Sequence, residues 1–163
     1  MSKPKKPKKK YVPRAIMIPR LISTTDNFDA LEAALLSIIE TGEVEIDDLG
    51  FYVYKDEVGT TMSFESNLRI WACFLDVWKG RVPGRVVDTA PLWQLQSTFE
   101  QALPIDEELV ETVRNNMALY GKIIKPMAAA EARDVMMTVK IDMAQYRLDK
   151  LERYRQQAQE IVA

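Results

Sequence analysis

Between Met127 and Ala163 the sequence contains neither proline nor glycine. Nothing in that stretch interrupts a helix, so the chain is predicted to end in one long helix. Its apolar residues fall on two stripes. Met137, Ile141, Ala144, Leu148, Leu151, Arg155, Ala158 and Val162 repeat at alternating steps of four and three, the spacing of a coiled-coil seam. Val135, Val139, Met143 and Tyr146 recur at helical spacing on another face. Together the stripes predict a helix whose first half is buried in the body while the rest projects. Two alanines and one arginine weaken the seam. Packing on its own domain therefore competes with self-association through Ile141, Leu148 and Leu151.

Upstream, proline and glycine divide the chain into shorter helical units. A helix is predicted to begin near Asp26, an N-capping residue, and to stop at Thr41-Gly42, with Phe28, Leu31, Leu35, Ile38 and Ile39 on one face. A second runs from about Glu65 to Lys79, aligning Leu68, Trp71, Ala72, Leu75 and Trp78 ahead of Gly80. A third starts near Pro91, carries Leu92, Leu95, Phe99 and Leu103, and ends at Pro104. A fourth follows Asp106-Glu107-Glu108, with Leu109, Val113, Met117, Tyr120 and Ile124 as its stripe and Pro126 beyond it. The stretch from 51 to 64 is rich in β-branched and aromatic residues around Asp56-Glu57-Val58-Gly59, which favours a short hairpin. Ile46, Leu49 and Val53 also fit a short helix beginning at Asp47. The expected fold is mainly α: a small helical bundle, residues 23 to 163, with a long C-terminal helix and a short hairpin.

Charge is distributed unevenly. Met1 to Arg20 holds six lysines, two arginines and no acid. Subtracting those eight cations from the chain's 22 leaves 14 against 24 acids, so the body from Leu21 onward carries about −10. The Ser-Lys-Pro-Lys-Lys-Pro-Lys-Lys-Lys run of residues 2 to 10 cannot bury apolar surface and repels itself, so an arm disordered in isolation is expected. Tyr11 to Ile22 reads as an extended apolar strap, kept out of the helical region by Pro13 and Pro19, with Ile16 and Ile18 available for docking. Arm and strap together occupy residues 1 to 22.

Missing residue types narrow the chemistry. With no histidine and one cysteine, the chain has no imidazole base and no thiolate or imidazole set for zinc or iron–sulfur clusters. Its six glycines are scattered rather than grouped in a phosphate loop. Cys73 lies in an apolar helical pattern and is expected to be buried. The acidic clusters at Glu43, Glu45, Asp47, Asp48 and at Asp106, Glu107, Glu108, Glu111 lack the spacing of a calcium loop and read as solvated faces or helix starts. No apolar run reaches bilayer length and no signal-peptide core is present, so a cytoplasmic protein without membrane contact is expected. A non-enzymatic protein without metal or cofactor is the reading these absences favour, and a carboxylate-dependent enzyme ranks last.

The arm is the leading candidate for function. Lys3, Lys5, Lys6, Lys8, Lys9, Lys10 and Arg14 form a dense positive array, and each cation that neutralises a phosphate releases a counterion. Nucleic-acid backbone is therefore the first expected partner. An acidic protein surface, on this body or a neighbouring subunit, is the second, and a solvated tail the third. Arg81, Arg85, Arg133 and Lys140 form no basic stripe in the body. Tyr52 and Tyr54 are candidate base-stacking residues if the hairpin forms. The alternative to a nucleic-acid-associated accessory or regulatory protein is a structural or interaction subunit of virion, filament or inhibitor type. It would assemble as a homo-oligomer through the strap and the C-terminal helix.

The Pro-Arg-containing basic arm, the stretch from Ala33-Ala34-Leu35 through Thr41-Gly42-Glu43-Val44-Glu45-Ile46-Asp47-Asp48, and Asn116-Met117-Ala118-Leu119-Tyr120 resemble short uncharacterised helical proteins of bacterial phages and prophages. The resemblance implies a phage context and transfers no site residue. Residues 50 to 64 have no counterpart in it.

Overall fold

The structure is a computed structural model that describes the backbone of residues 19 to 162 and the side chains of residues 26 to 162. Lys3, Lys5, Lys6, Lys8, Lys9, Lys10, Arg14, Ile16 and Ile18 lie outside the described residues. Five helices and three short strands follow in the order α1 (Pro19–Thr41), β1 (Glu45–Ile46), β2 (Tyr52–Lys55), β3 (Thr61–Ser63), α2 (Phe64–Arg81), α3 (Ala90–Glu100), α4 (Glu107–Ile124) and α5 (Ala129–Val162).

Helix α1 starts seven residues before the Asp26 start expected from capping, so the last four strap positions are helical rather than extended. Proline is well placed as a first helical residue. Its ring fixes φ near the helical value, and its missing N–H would have had no intrahelical acceptor.

The predicted hairpin is present and gains a third strand, giving an antiparallel meander in the order β1-β2-β3. Two copies of one turn build it, each an aspartate followed three residues later by glycine. Asp47 Oδ1 accepts the Leu49 and Phe51 N–H groups at 3.0 and 2.8 Å, and Asp56 Oδ1 accepts those of Val58 and Thr60 at the same two distances. Gly50 and Gly59 take φ of +85° and +82°, where an L side chain would be strained. The helical reading of Ile46, Leu49 and Val53 fails against these turns. Ile46 and Leu49 are exposed, whereas Val53 is buried in β2.

Strand β3 runs directly into α2, where the Ser63 hydroxyl caps the helix by accepting the Ser66 N–H at 3.2 Å. Tyr52 and Tyr54, two positions apart and so on one face of β2, reach Phe99 and Phe64 respectively. The Phe64 and Phe99 rings stack with centroids 4.9 Å apart. Trp71 sits at the centre of the bundle with its ring edge-on to Phe28 and Phe74, at 5.3 and 5.4 Å. Helix α2 packs against both α3 and α5, and α1 lies on α4. The α4 face turns slightly from the predicted stripe: Val110, rather than Leu109, is fully buried beside Val113, Met117, Tyr120 and Ile124.

Helix α3 ends at Glu100, short of Pro104. The chain leaves it through Ala102 at φ +51°, with Leu103 N–H donating to Thr98 O at 3.0 Å. This is a Schellman-type exit, which glycine normally occupies, and it carries Leu103 out to solvent rather than onto the apolar stripe. Replacing Ala102 with glycine is expected to stabilise the fold by about 0.5–1 kcal/mol. A urea midpoint that falls in Ala102→Gly would contradict the left-handed exit.

Candidate interaction surface

Helix α5 presents two opposite faces, as the two stripes imply. On the inner face Val135, Val139 and Met143 are buried against the body. One turn further on, the Tyr146 ring lies under the Arg69 guanidinium, 3.6 Å from its carbon, and the Tyr146 hydroxyl donates to Glu100. Arg69 also pairs with Glu100 at 3.2 Å and Glu65 at 3.5 Å, and the Gln96 amide donates to both of those carboxylates at 3.0 Å. Three helices thus meet in one charged cluster. Burial alone would raise the Glu100 carboxyl, but hydrogen bonds from Tyr146 and Gln96, with the charges of Arg69 and Lys150, hold it below its ordinary value. Burial, reinforced by the Glu100 hydrogen bond, pushes the Tyr146 hydroxyl up to about 12.

Two further arginines fasten the start of α5. Arg81 donates to Asp134 at 2.7 Å and to Thr138 at 2.6 Å. Arg85 lies over the Trp78 ring at 4.5 Å and donates to Glu131 at 2.9 Å. Both of these body cations are therefore committed to intramolecular pairs.

The outer face is different. Met137, Ile141, Leu148 and Leu151 are 63, 64, 61 and 62% exposed, so every large aliphatic residue of the heptad seam up to Leu151 stands in solvent. From Leu151 to Val162 every residue is exposed on all sides of the helix. The structure therefore brings Ile141, Leu148 and Leu151 onto one continuous face. An apolar stripe of this length, rimmed by polar residues, is the kind of patch that marks an interaction surface.

Other candidates fare differently. Tyr54 is buried against Phe64 and offers no open face to a base, while Tyr52 is partly buried against Phe99. Cys73 is half-buried rather than fully buried, and desolvation with the nearby Asp142 raises its thiol above the ordinary value. It is held as the protonated, poorly nucleophilic form. Asp47 shapes a turn and Asp106 caps α4 by accepting the Glu108 N–H at 3.0 Å, which gives both acidic clusters a structural use. Among the described residues no group of three or more acids or thiols is arranged to hold a metal, and no helix is long and apolar enough to cross a membrane. An open groove of about 360 Å³ between α1 and the sheet carries five acids, Asp29, Glu43, Glu45, Asp56 and Glu57, against one cation, Lys55. It includes the buried Tyr54, whose hydroxyl has no hydrogen-bond partner.

Sequence reasoning missed the Arg69, Arg81 and Arg85 clasps and also Asp76, which accepts the Thr89 hydroxyl at 2.6 Å and the Trp93 indole N–H at 2.8 Å. Apart from Glu65, four residues before Arg69 on α2, these partners lie on different elements, so no local spacing announces them. Compared with protein-family models, curated proteins and solved structures, the chain matches none.

Proposed function

We propose that this chain is a non-catalytic interaction subunit that assembles with copies of itself through the outer face of α5. The exposed seam carries the reading: aliphatic side chains at heptad spacing remain in water along a helix fastened to the body by its other face. Leu148 and Leu151 are its centre. Light scattering on the full chain is expected to show association that the paired substitution Leu148→Glu and Leu151→Glu abolishes. A wild-type protein that stays monomeric at high concentration would sink the proposal. Both positions are exposed, so the substitutions leave the body's packing untouched.

A second reading concerns the arm and is carried by its charge: eight cations and no acid, joined to a body of about −10. Lys3, Lys5, Lys6, Lys8, Lys9, Lys10 and Arg14 suit nucleic-acid phosphates, which would make the assembly a nucleic-acid-associated accessory or regulatory protein, with a phage setting as its proposed context. The acidic groove between α1 and the sheet is the competing target for the same lysines. Deleting residues 1 to 10 is expected to remove most low-salt binding to mixed-sequence DNA and RNA. Unchanged binding after the deletion would end the phosphate reading.

A further inference from the structure

The seam does more than mark a contact face, because its sequence distinguishes between ways of using it. With Ile141 and Leu148 at a positions, Arg155 and Val162 are the later a positions, and Met137, Ala144, Leu151 and Ala158 are d positions. In a parallel pair a meets a and d meets d. Arg155 would then face Arg155 of the second copy inside the seam, and Ala144 and Ala158 would each face another alanine, leaving two poorly filled layers. The compensation is one flanking pair, Arg147 with Glu152, on the solvated rim, where such pairs contribute little.

Antiparallel, every layer changes partner. An a residue then meets a d residue, and alignment on the centre of the exposed stretch places Leu148 opposite Leu151 twice. Ile141 fills the space over Ala158, Met137 meets Val162, and Arg155 lies across Ala144. A long stem over a small residue can pack its methylenes while the guanidinium reaches water. The flanking positions agree, since Arg147 faces Tyr154 and Gln145 faces Glu152, with no like charges opposed. Large residues meet small ones in the layers where a parallel pair would leave holes.

The position of the body fits the same arrangement. Val135, Val139, Met143 and Tyr146 occupy the b, c and f positions, the side of α5 away from the seam, so the body does not cover it. The seam from Met137 to Val162 spans about 38 Å. Its last twelve residues are exposed all round, and a free helix of about that length is marginal in water. In the antiparallel pair this projecting half lies along the body-anchored half of the second copy.

Resting on the reading of α5 as an assembly surface, we infer that the occupant of the seam is a second copy of this chain, antiparallel, with the two-fold axis passing between Asp149 and Lys150. The test is oxidative cross-linking of the full chain in a Cys73→Ser background, with masses read by light scattering. Ala144→Cys mixed with Arg155→Cys is expected to give covalent dimers, while each alone gives little, and the particle mass is twice that of the chain. Leu148→Glu with Leu151→Glu is expected to weaken the pair by about a hundredfold or more. Self-cross-linking of Ala144→Cys alone, a dimer without the mixed cross-link, or a trimer or tetramer would overturn the antiparallel pair while leaving assembly through α5 standing. A monomer at every concentration overturns both.

Discussion

Trp71→Ala is expected to destabilise the protein by about 3–5 kcal/mol, measured from the urea unfolding midpoint. Trp71 is 1% exposed and lies edge-on to Phe28 and Phe74, so truncation leaves a cavity at the point where α1 and α2 meet. Domains of this size are stable by about 5–15 kcal/mol in total, so the loss is a large fraction of the whole. The indole N–H has no hydrogen-bond partner. Trp71→Phe therefore forfeits volume but no hydrogen bond, and is expected to cost less than half as much. A Trp71→Ala change below about 1 kcal/mol would contradict the central role given to this ring.

The second large effect belongs to Arg69. Arg69→Ala removes the guanidinium over Tyr146 and leaves Glu100 and Glu65 facing each other with Gln96 between them. The Arg69 and Glu100 side chains are 14 and 26% exposed, so the cost is set below that of a fully buried pair, at about 2–3 kcal/mol. Its signature is in the pH dependence. Glu100 titrates below its ordinary value in the folded protein, so its contribution is complete above the unfolded carboxyl pKa and is lost as pH falls through the folded one. Wild-type stability is therefore expected to decline on acidification from about pH 4.5 downward, and Arg69→Ala to show a shallower decline. Equal acid limbs in the two proteins would show that Arg69 does not hold Glu100 ionised. Hydrogen exchange around Met143 and Tyr146 is expected to quicken in the variant, because the α5 clasp is loosened.

Much of this architecture is legible in the sequence wherever the signal is local. Each predicted helix is present, and the two stripes of α5 separate into a buried and an exposed face because helical spacing alone assigns side chains to faces. The boundaries that differ have local causes of a subtler kind. Pro19 opens a helix instead of breaking one, and Ala102 ends α3 by taking a conformation that alanine seldom adopts. The choice between hairpin and helix after Glu43 turned on the repeated aspartate-to-glycine spacing at Asp47–Gly50 and Asp56–Gly59, which outweighs the apolar periodicity of Ile46, Leu49 and Val53. The seam residues Ile141, Leu148 and Leu151 could be named in advance. The clasp that orients them could not: Arg69 and Tyr146 are brought together only by tertiary packing, and charged residues on separate helices carry no periodic mark.

The fixation of α5 on one side only makes it a lever. Its last firm grip on the body is at Tyr146 and Lys150, while its tip at Val162 lies about 24 Å beyond Tyr146 along the axis. A tilt of about 10° at the grip would swing that tip by roughly 4 Å, about three-quarters of the rise of one helical turn. Aim at the far end of the helix therefore depends on the last grip, where Arg69, Glu100, Tyr146 and Lys150 meet, more than on the Arg81 and Arg85 pairs at its start. A substitution there, such as Arg69→Ala, is therefore expected to loosen the aim of the tip without touching it.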